Sequence, residues 1–247
     1  MSPEDGLGRP QPLATMTQVP SPNHGPRHEG SRIDMVILHY TAMQDAETAI
    51  FRLCKPEAKV SCHYVICREG RVTQLVDEAR RAWHAGLGRW GGVADVNSNS
   101  IGIELDHPGQ GPFEDAQMRT LETLLADLMV RYPAITPERV LGHSDVAVGR
   151  KIDPGPDFPW ARLAARGLAV FPDAPAEAEP WEFDPLLDLI GYDWNSEPEA
   201  RLAAFRLRFR PGASGPADTI DAGIARAVAD AWPHARRSVI DLTSAPA

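Results

Sequence analysis

Two histidines and an aspartate lie at points of the chain where together they could bind a metal ion. His39 follows a continuous apolar run at residues 35–38 that has the length of a buried strand, so its side chain would be held rigidly. His143 opens a later loop, and Asp153 offers a carboxylate further along. A catalytic zinc ion typically takes three nitrogen or oxygen ligands and keeps its fourth position for water. These residue types therefore favour a zinc site with hydrolytic chemistry.

Two further charged residues have the types that such a hydrolysis would use. Lys151 lies two residues before Asp153, so in an extended loop both side chains leave on the same side. Its ammonium group would then lie near the metal without binding it and would stabilise the oxyanion formed when a carbonyl is attacked. Glu104 is the candidate general base, because its neighbour Gly102 leaves open space on the same face of a strand.

Each of these residues also has an ordinary structural interpretation. Single histidines are more often satisfied polar groups than metal ligands, and Asp153 before Pro154 is a pattern that opens turns. Glu104 could face solvent from an edge strand, and Lys151 could be a surface lysine. The chain has no H-E-x-x-H motif and no paired C-x-x-C motif. Residue types and spacing alone therefore leave both interpretations open.

The hydrophobic pattern around these residues predicts an α/β domain. The strand candidates are residues 35–38, 60–66, 72–76 and 100–105. The helix candidates are a short helix from Asp45 through Leu53, a long one from about Glu114 to Tyr132, and a short one after Pro159. Because strands and helices alternate, we expect a mixed central β-sheet flanked by helices.

The chain divides into four regions by composition. Residues 1–30 are rich in proline and glycine and are expected to form an irregular arm, followed by a catalytic domain at 31–172. Residues 173–180 form a Pro/Ala/Glu linker. Residues 181–247 are then expected to form a small three-helix domain, with helical patterns at about Pro185–Ile190, Pro198–Arg208 and Thr219–Trp232.

Charge and hydropathy exclude several classes of protein. The net charge of -9 argues against nucleic acid as a partner, because binding phosphates requires a basic face. No apolar run approaches the roughly 18 residues of a membrane span. Residues 1–30 lack the apolar core of a secretory signal, which favours a cytoplasmic location, or a periplasmic one if a leader has been removed.

Five stretches of the chain resemble the type-2 N-acetylmuramoyl-L-alanine amidases, which share their fold with the peptidoglycan recognition proteins. They are VILHYTA (36–42), VSCHYVICREGRVTQLV (60–76), AWHAG (82–86), NSNSIGIEL (97–105) and LGHSDVAVGRKIDPGPDFPW (141–160). The match covers about residues 20–172 and keeps the order of the motifs. It implies an enzyme that hydrolyses the amide between N-acetylmuramic acid and L-alanine in muropeptides or peptidoglycan fragments.

The resemblance also implies roles for particular residues. Zinc would be bound by His39, His143 and Asp153, and the catalytic pair would be Glu104 and Lys151. Related phage amidases carry a tyrosine just before the histidine of the second strand and lack the glutamate. In this chain Cys62 takes the place of that tyrosine, and the glutamate is present as Glu104. This is the pattern of the anhydromuramyl-peptide amidase branch.

Four other residues are candidates for the substrate groove: Trp83, His84, Asn97 and Asn99. Core packing of Trp83 and turn formation by the asparagines are the alternatives. His63 is expected to support the site from its strand rather than to bind metal, because three better ligands already fill a catalytic zinc site.

The C-terminal helices resemble, more weakly, the small peptidoglycan-binding domain appended to many wall hydrolases. Two alternative functions follow from these features. One is an exported wall-remodelling amidase, and the other is a peptidoglycan sensor that binds fragments without cleaving them. The sensor is disfavoured because sensors on this fold lose zinc ligands, whereas all three are present here. The oligomeric state does not follow from the sequence.

Overall fold

A computed structural model describes residues 16–231 of the chain, and its strands form one large sheet and one small one. The strands are β1 Met16–Gln18, β2 His24–Pro26, β3 Met35–Tyr40, β4 Tyr64–Ile66, β5 Val72–Gln74, β6 Arg80–Ala82, β7 Ser100–Leu105 and β8 Val140–Gly142. Within the described residues, six of them form a sheet in the order β1-β5-β4-β7-β3-β8, and β2 pairs with β6. Only the β4–β5 pair of the large sheet is antiparallel. The predicted mixed sheet is therefore confirmed.

Helices lie on both sides of this sheet. They are α1 Ala46–Leu53, α2 Val96–Asn99, α3 Asp115–Arg131, α4 His143–Val146, α5 Trp160–Ala164, α6 Phe183–Ile190, α7 Pro198–Phe209 and α8 Thr219–Ala231. Asp45 caps α1 as predicted, since its Oδ1 accepts a hydrogen bond of 2.8 Å from the backbone N–H of Thr48. The long predicted helix is α3, and it ends just before Pro133, as the sequence indicates. Among residues 16–231, no helix combines the length and the apolar character needed to cross a bilayer.

The alternation of side chains along β3 divides the core into two parts. Val36 and Leu38 pack with the buried face of α3, in a cluster that also contains Ile103 of β7. Met35 and Ile37 point to the opposite side and pack in a second cluster with the C-terminal helices α6, α7 and α8. His39 continues the odd-numbered series, so its side chain lies on the side of the sheet that the C-terminal helices cover.

The structure corrects the prediction that the whole N-terminal arm is irregular. Met16–Gln18 pairs in parallel with β5, and His24–Pro26 pairs antiparallel with β6. Such three-residue strands carry too short a pattern to be recognised in the sequence. They form because the edges of β5 and β6 present backbone groups that need partners, and edge strands tolerate proline. Residues 1–15 of the arm lie outside the described residues.

The C-terminal region contains the three expected helices, and it packs against the sheet. Phe205 of α7 is fully buried in the same cluster as Ile37 and Leu141. The segment predicted as a linker also makes contact, since the Ala176 N–H donates to the Gly223 carbonyl over 2.9 Å. The boundary between the two domains stays a prediction, and the expected end of the last helix at Trp232 lies outside the described residues.

Because one hydrophobic cluster joins both regions, we expect the chain to unfold in a single cooperative transition. Urea unfolding followed by far-UV circular dichroism and by tryptophan fluorescence should give coincident curves. Phe205→Ala should lower the free energy of unfolding by about 3–5 kcal/mol and shift both curves together. Two separate transitions, with only one moved by Phe205→Ala, would show that the regions unfold independently.

Candidate metal centre and its cavity

Three predicted ligands converge at one edge of the sheet. His39 lies near the end of β3, and His143 begins α4 directly after β8, which pairs in parallel with β3. Asp153 reaches the same point from the loop after α4. The distance from His39 Nδ1 to His143 Nδ1 is 3.0 Å, and Asp153 Oδ2 lies 2.9 Å and 3.0 Å from these two atoms. All three side chains are buried, and together they form a candidate metal-binding group.

The size and chemistry of this triangle fit a zinc ion. Ligand atoms about 2.0–2.1 Å from a tetrahedral zinc lie about 3.3 Å from one another, a few tenths of an ångström more than the edges seen here. Two imidazoles and a carboxylate also form a donor set that catalytic zinc sites use. The remaining requirement is that each imidazole presents a lone pair, not a proton, to the centre of the triangle.

The hydrogen bonds of His143 meet this requirement. Its Nε2 lies 3.0 Å from the backbone carbonyl of Ala85, and a carbonyl can only accept. The network therefore places the proton of neutral His143 on Nε2 and leaves a lone pair on Nδ1. A backbone acceptor of this kind is the usual way in which a protein fixes the tautomer of a histidine ligand.

A longer chain of hydrogen bonds fixes the tautomer of His39. Ser100 Oγ donates its single proton to the Val96 carbonyl over 2.6 Å, so toward His84 Nε2, 3.2 Å away, it can only accept. His84 therefore carries its proton on Nε2, and its Nδ1 accepts from His39 Nε2 over 3.0 Å. As a result, Nδ1 of His39 faces the triangle as a lone pair.

Burial favours the neutral form of the imidazoles of His39 and His84. It lowers the pKa of His39 to about 4, and the neighbouring His143 contributes to the shift, so His39 is neutral at pH 7. Burial also lowers the pKa of His84 far below its usual value. Neutral imidazoles and an ionised carboxylate are the forms that bind metal.

The two predicted catalytic residues border the same cavity as the triangle. This cavity has a volume of about 420 Å³ and is lined by the three ligands, Glu104, Lys151, Trp83 and His84 among others. Glu104 stands beside His39 because β7 and β3 are in parallel register at these two residues. Burial, and then repulsion by Asp153, raises the pKa of Glu104 to about 8, while the ammonium group of Lys151 acts in the opposite direction.

The expected open space beside Gly102 is filled, which corrects the sequence analysis. A Cβ atom at Gly102 would lie 2.5 Å from Cγ of His84, so the glycine makes room for the imidazole ring. Periodicity identified the face of the strand correctly but could not reveal that another loop covers it. His84 has both ring nitrogens in hydrogen bonds, to His39 and Ser100, and this arrangement suits a positioning group better than a substrate-binding one.

The other predicted groove residues separate into two kinds. Trp83 lines the cavity, whereas Asn97 and Asn99 are not part of its lining. Asn97 accepts hydrogen bonds from the backbone N–H groups of His84 and Ala85 and so shapes their loop. Asn99 donates to the Asp95 carbonyl and accepts from the Arg32 N–H, away from the cavity. A role of either asparagine in the substrate groove stays a prediction.

His63 and Ser100 illustrate what the sequence could and could not indicate. Nδ1 of His63 accepts from the Gly102 N–H over 2.9 Å, and its Nε2 donates to the Arg80 carbonyl, so neither nitrogen is directed at the triangle. This agrees with the predicted supporting role. Ser100 and the Ala85 carbonyl, which fix the two ligand tautomers, were missed. A serine at the start of a strand and a backbone carbonyl give no recognisable signal.

The fold and this site together define a hydrolase with a candidate metal centre at the carboxyl edge of a mixed sheet. The family model for N-acetylmuramoyl-L-alanine amidase matches residues 29–156, and the chain belongs to that family. It is 36% identical over 235 residues to the N-acetylmuramoyl-L-alanine amidase AmiD of Escherichia coli, a match covering 81% of this chain and 84% of that protein.

Two further comparisons agree with this assignment. The chain is 34% identical over 167 residues to the 1,6-anhydro-N-acetylmuramyl-L-alanine amidase AmpD of Haemophilus influenzae, covering 61% of this chain and 91% of that protein. It also resembles the solved complex of E. coli AmiD with the substrate anhydro-N-acetylmuramic acid-L-Ala-D-gamma-Glu-L-Lys. That match has a TM-score of 0.74 and 33% identity, and it covers 84% of this chain and 93% of the other.

The chain of hydrogen bonds that ends on His39 gives a testable prediction. Ser100→Ala removes the acceptor of the His84 Nε2 proton, so the orientation of His39 is no longer fixed. We expect the affinity for zinc to fall about tenfold, at the low end of the range for outer-sphere partners, with the far-UV spectrum unchanged. Competition with a chromogenic chelator measures this affinity.

Ser98→Ala is the matched control, because Ser98 is an equally buried neighbour whose hydroxyl contacts the His28 N–H and the Asp95 carboxylate but not His84. It should bind zinc as the unaltered protein does. Equal zinc affinities for Ser100→Ala and the unaltered chain would mean that this hydrogen-bond chain does not orient His39.

Proposed function

We propose that this chain hydrolyses the amide bond between 1,6-anhydro-N-acetylmuramic acid and L-alanine in soluble muropeptides, as a step of cell-wall recycling. The observation that carries the proposal is the shared cavity, in which a convergent ligand triangle, a carboxylic acid and an ammonium group lie together. The reaction adds the hydroxyl of water to the carbonyl carbon, breaks the C–N bond and delivers a proton to the amine of L-alanine.

The metal of this site is proposed to be zinc, held by His39, His143 and Asp153. When bound, zinc supplies a Lewis acid for the carbonyl and lowers the pKa of water to about 7. The contribution of the chain is to keep the two Nδ1 lone pairs free of protons, through the Ala85 carbonyl and the His84–Ser100 pair. The buried position of the triangle also excludes bulk water from its inner side.

Glu104 is proposed as the group that moves the proton. Its Oε2 is buried and has no hydrogen-bond partner among residues 16–231, so it is available to the attacking water in the cavity. A general base works best when its pKa lies near the operating pH, and burial raises the pKa of Glu104 toward that range. The same carboxyl would then pass the proton to the departing amine.

Lys151 is proposed to stabilise the negative charge that develops on the carbonyl oxygen. Its ammonium group borders the cavity and acts electrostatically on both Glu104 and His39. A fixed positive charge at the position of a developing oxyanion lowers the activation barrier without any reorganisation during the reaction. Lys151 is not part of the ligand triangle, so its charge remains available for this role.

The choice of the anhydro substrate is supported by the relatives. AmpD of H. influenzae is named a 1,6-anhydro-N-acetylmuramyl-L-alanine amidase, and the AmiD complex contains an anhydromuramyl tripeptide. Trp83 in the cavity wall offers an apolar surface for the sugar or the lactyl group. The cytoplasmic location and the peptidoglycan-binding role of residues 181–247 stay predictions from the sequence.

The direct test is to incubate the protein with anhydromuramyl and reduced muramyl peptides and to identify the products by mass. We expect free peptide and anhydro-N-acetylmuramic acid from the first substrate, and loss of the reaction after chelation with restoration by added zinc. His39→Ala should also lose bound metal, because it removes one of three protein ligands. Binding of both substrates without cleavage, by zinc-loaded protein, would favour the peptidoglycan sensor.

Glu104→Gln separates the proton-moving group from the metal. The amide keeps the shape of the side chain but cannot accept a proton at neutral pH. We expect zinc content and KM to be preserved while kcat falls by roughly 10²–10⁴, the usual contribution of a positioned general base. Lys151→Ala should lower kcat by about 10²–10³ with zinc retained. Near-normal turnover of Glu104→Gln with zinc bound would refute its role as the base.

A further inference from the structure

Helix α4, which begins with His143, is held on its inner side by a buried carboxylate. Asp145 lies two residues after His143 and has no exposed surface. Its Oδ2 accepts a hydrogen bond of 2.8 Å from the Gly142 N–H, which closes the turn that leads into the helix. The remaining bonds of this carboxylate come from the C-terminal helical region.

Two side chains from that region donate the other hydrogen bonds to the Asp145 carboxylate. The hydroxyl of Tyr192, which follows α6, donates to Oδ1 over 2.8 Å. Arg208 of α7 donates from Nη1 to Oδ2 over 2.9 Å, and both partners of this ion pair are almost fully buried. Three donors therefore fix both carboxylate oxygens, and two of the three lie beyond the predicted linker.

Arg208 is itself fixed on several sides. Its guanidinium donates to the Val140 carbonyl over 3.2 Å and to the Val170 carbonyl over 3.0 Å. It also lies 3.9 Å from the ring centre of Trp160. The guanidinium of Arg208 thus joins strand β8, helix α4 and the end of the amidase region at Val170. It cannot shift without breaking several hydrogen bonds.

The same short helix is tied to a second ligand. The backbone N–H of Ser144 donates to the carbonyl of Asp153 over 2.9 Å, so movement of α4 would move both His143 and Asp153. A displacement of a few tenths of an ångström in two of three ligands would change the size of the triangle. The contact between α4 and the C-terminal helices is therefore a geometric constraint on the metal site.

We propose that Tyr192 and Arg208 are positioning residues for the metal centre, through which the C-terminal helices set the geometry of His143 and Asp153. This inference rests on the proposed zinc-dependent function, but it assigns the C-terminal region a role distinct from peptidoglycan binding. The hydrogen bonds from Tyr192 and Arg208 act on Asp145, and Asp145 acts on the ligands by holding α4.

A second buried arginine on the same helix provides a matched control. Arg206 is as buried as Arg208 and pairs with the buried Asp221 of α8, and it also donates to the carbonyls of Gly215 and Pro216. All of these partners belong to the C-terminal region, so a change at Arg206 disturbs that region without contacting Asp145.

The test compares Tyr192→Phe, Arg208→Lys and Arg206→Lys in the full-length protein. Zinc affinity is measured by chelator competition, thermal stability by circular dichroism, and kcat and KM with an anhydromuramyl peptide. Tyr192→Phe removes one hydroxyl and keeps the ring, so the chain should fold even if Arg208→Lys does not. We expect Tyr192→Phe and Arg208→Lys each to weaken zinc binding about tenfold or more and to lower kcat with little change in KM.

Arg206→Lys should lower the melting temperature while zinc affinity stays within about twofold of the unaltered protein. The proposal is overturned if Tyr192→Phe binds zinc as tightly as the unaltered protein does, or if Arg206→Lys weakens zinc binding equally at a similar loss of stability. Failure of the unaltered protein to bind zinc would instead contradict the proposed function. The two failures are therefore distinguishable.

Discussion

The electron pairs of His39, His143 and Asp153 meet in a buried space where no proton lies between them. Atoms of this kind 3.0 Å apart repel one another unless a cation joins them, so the arrangement persists only because surrounding groups hold it. The Ala85 carbonyl holds one imidazole, and the chain through His84 to Ser100 holds the other. The strand pairing and the helix packing described below position these two orienting groups.

Parallel strand pairing is what brings the three candidate ligands and Glu104 to one place. The carboxyl ends of β3, β7 and β8 lie at the same edge of the sheet, and the chain leaves each strand beside the cavity. Side-chain alternation then decides the face, because His39 and Glu104 occupy paired positions on neighbouring strands. A slip of one residue in this register would turn Glu104 into the α3 core, where its carboxylate would lack polar partners.

The sequence predicted strands β3, β4, β5 and β7, the long helix α3 and the grouping of His39, His143 and Asp153, because these depend on periodic apolar runs and on motifs that keep their order. It did not indicate the short strands β6 and β8. It was insufficient where a contact joins distant loops. The filling of the space beside Gly102 by His84 and the hydrogen bonds of Asn97 to the loop around Ala85 depend on tertiary structure alone. The strands at Met16–Gln18 and His24–Pro26 were missed for a related reason, since their partners supply the stabilisation that their own sequence lacks.

The two buried arginines of α7 indicate why the C-terminal helices pack so closely on the amidase region. Residues two apart on a helix point in nearly opposite directions, so Arg206 faces Asp221 in its own region while Arg208 faces Asp145 across the contact. A buried ion pair adds little net stability, because desolvation offsets most of the attraction, yet removal of one partner is costly. Any arrangement of the helices that separated Arg208 from Asp145 would leave a buried charge without a partner and is therefore disfavoured. In this chain the turn before His143 and the packing of α7 both depend on one carboxylate, that of Asp145.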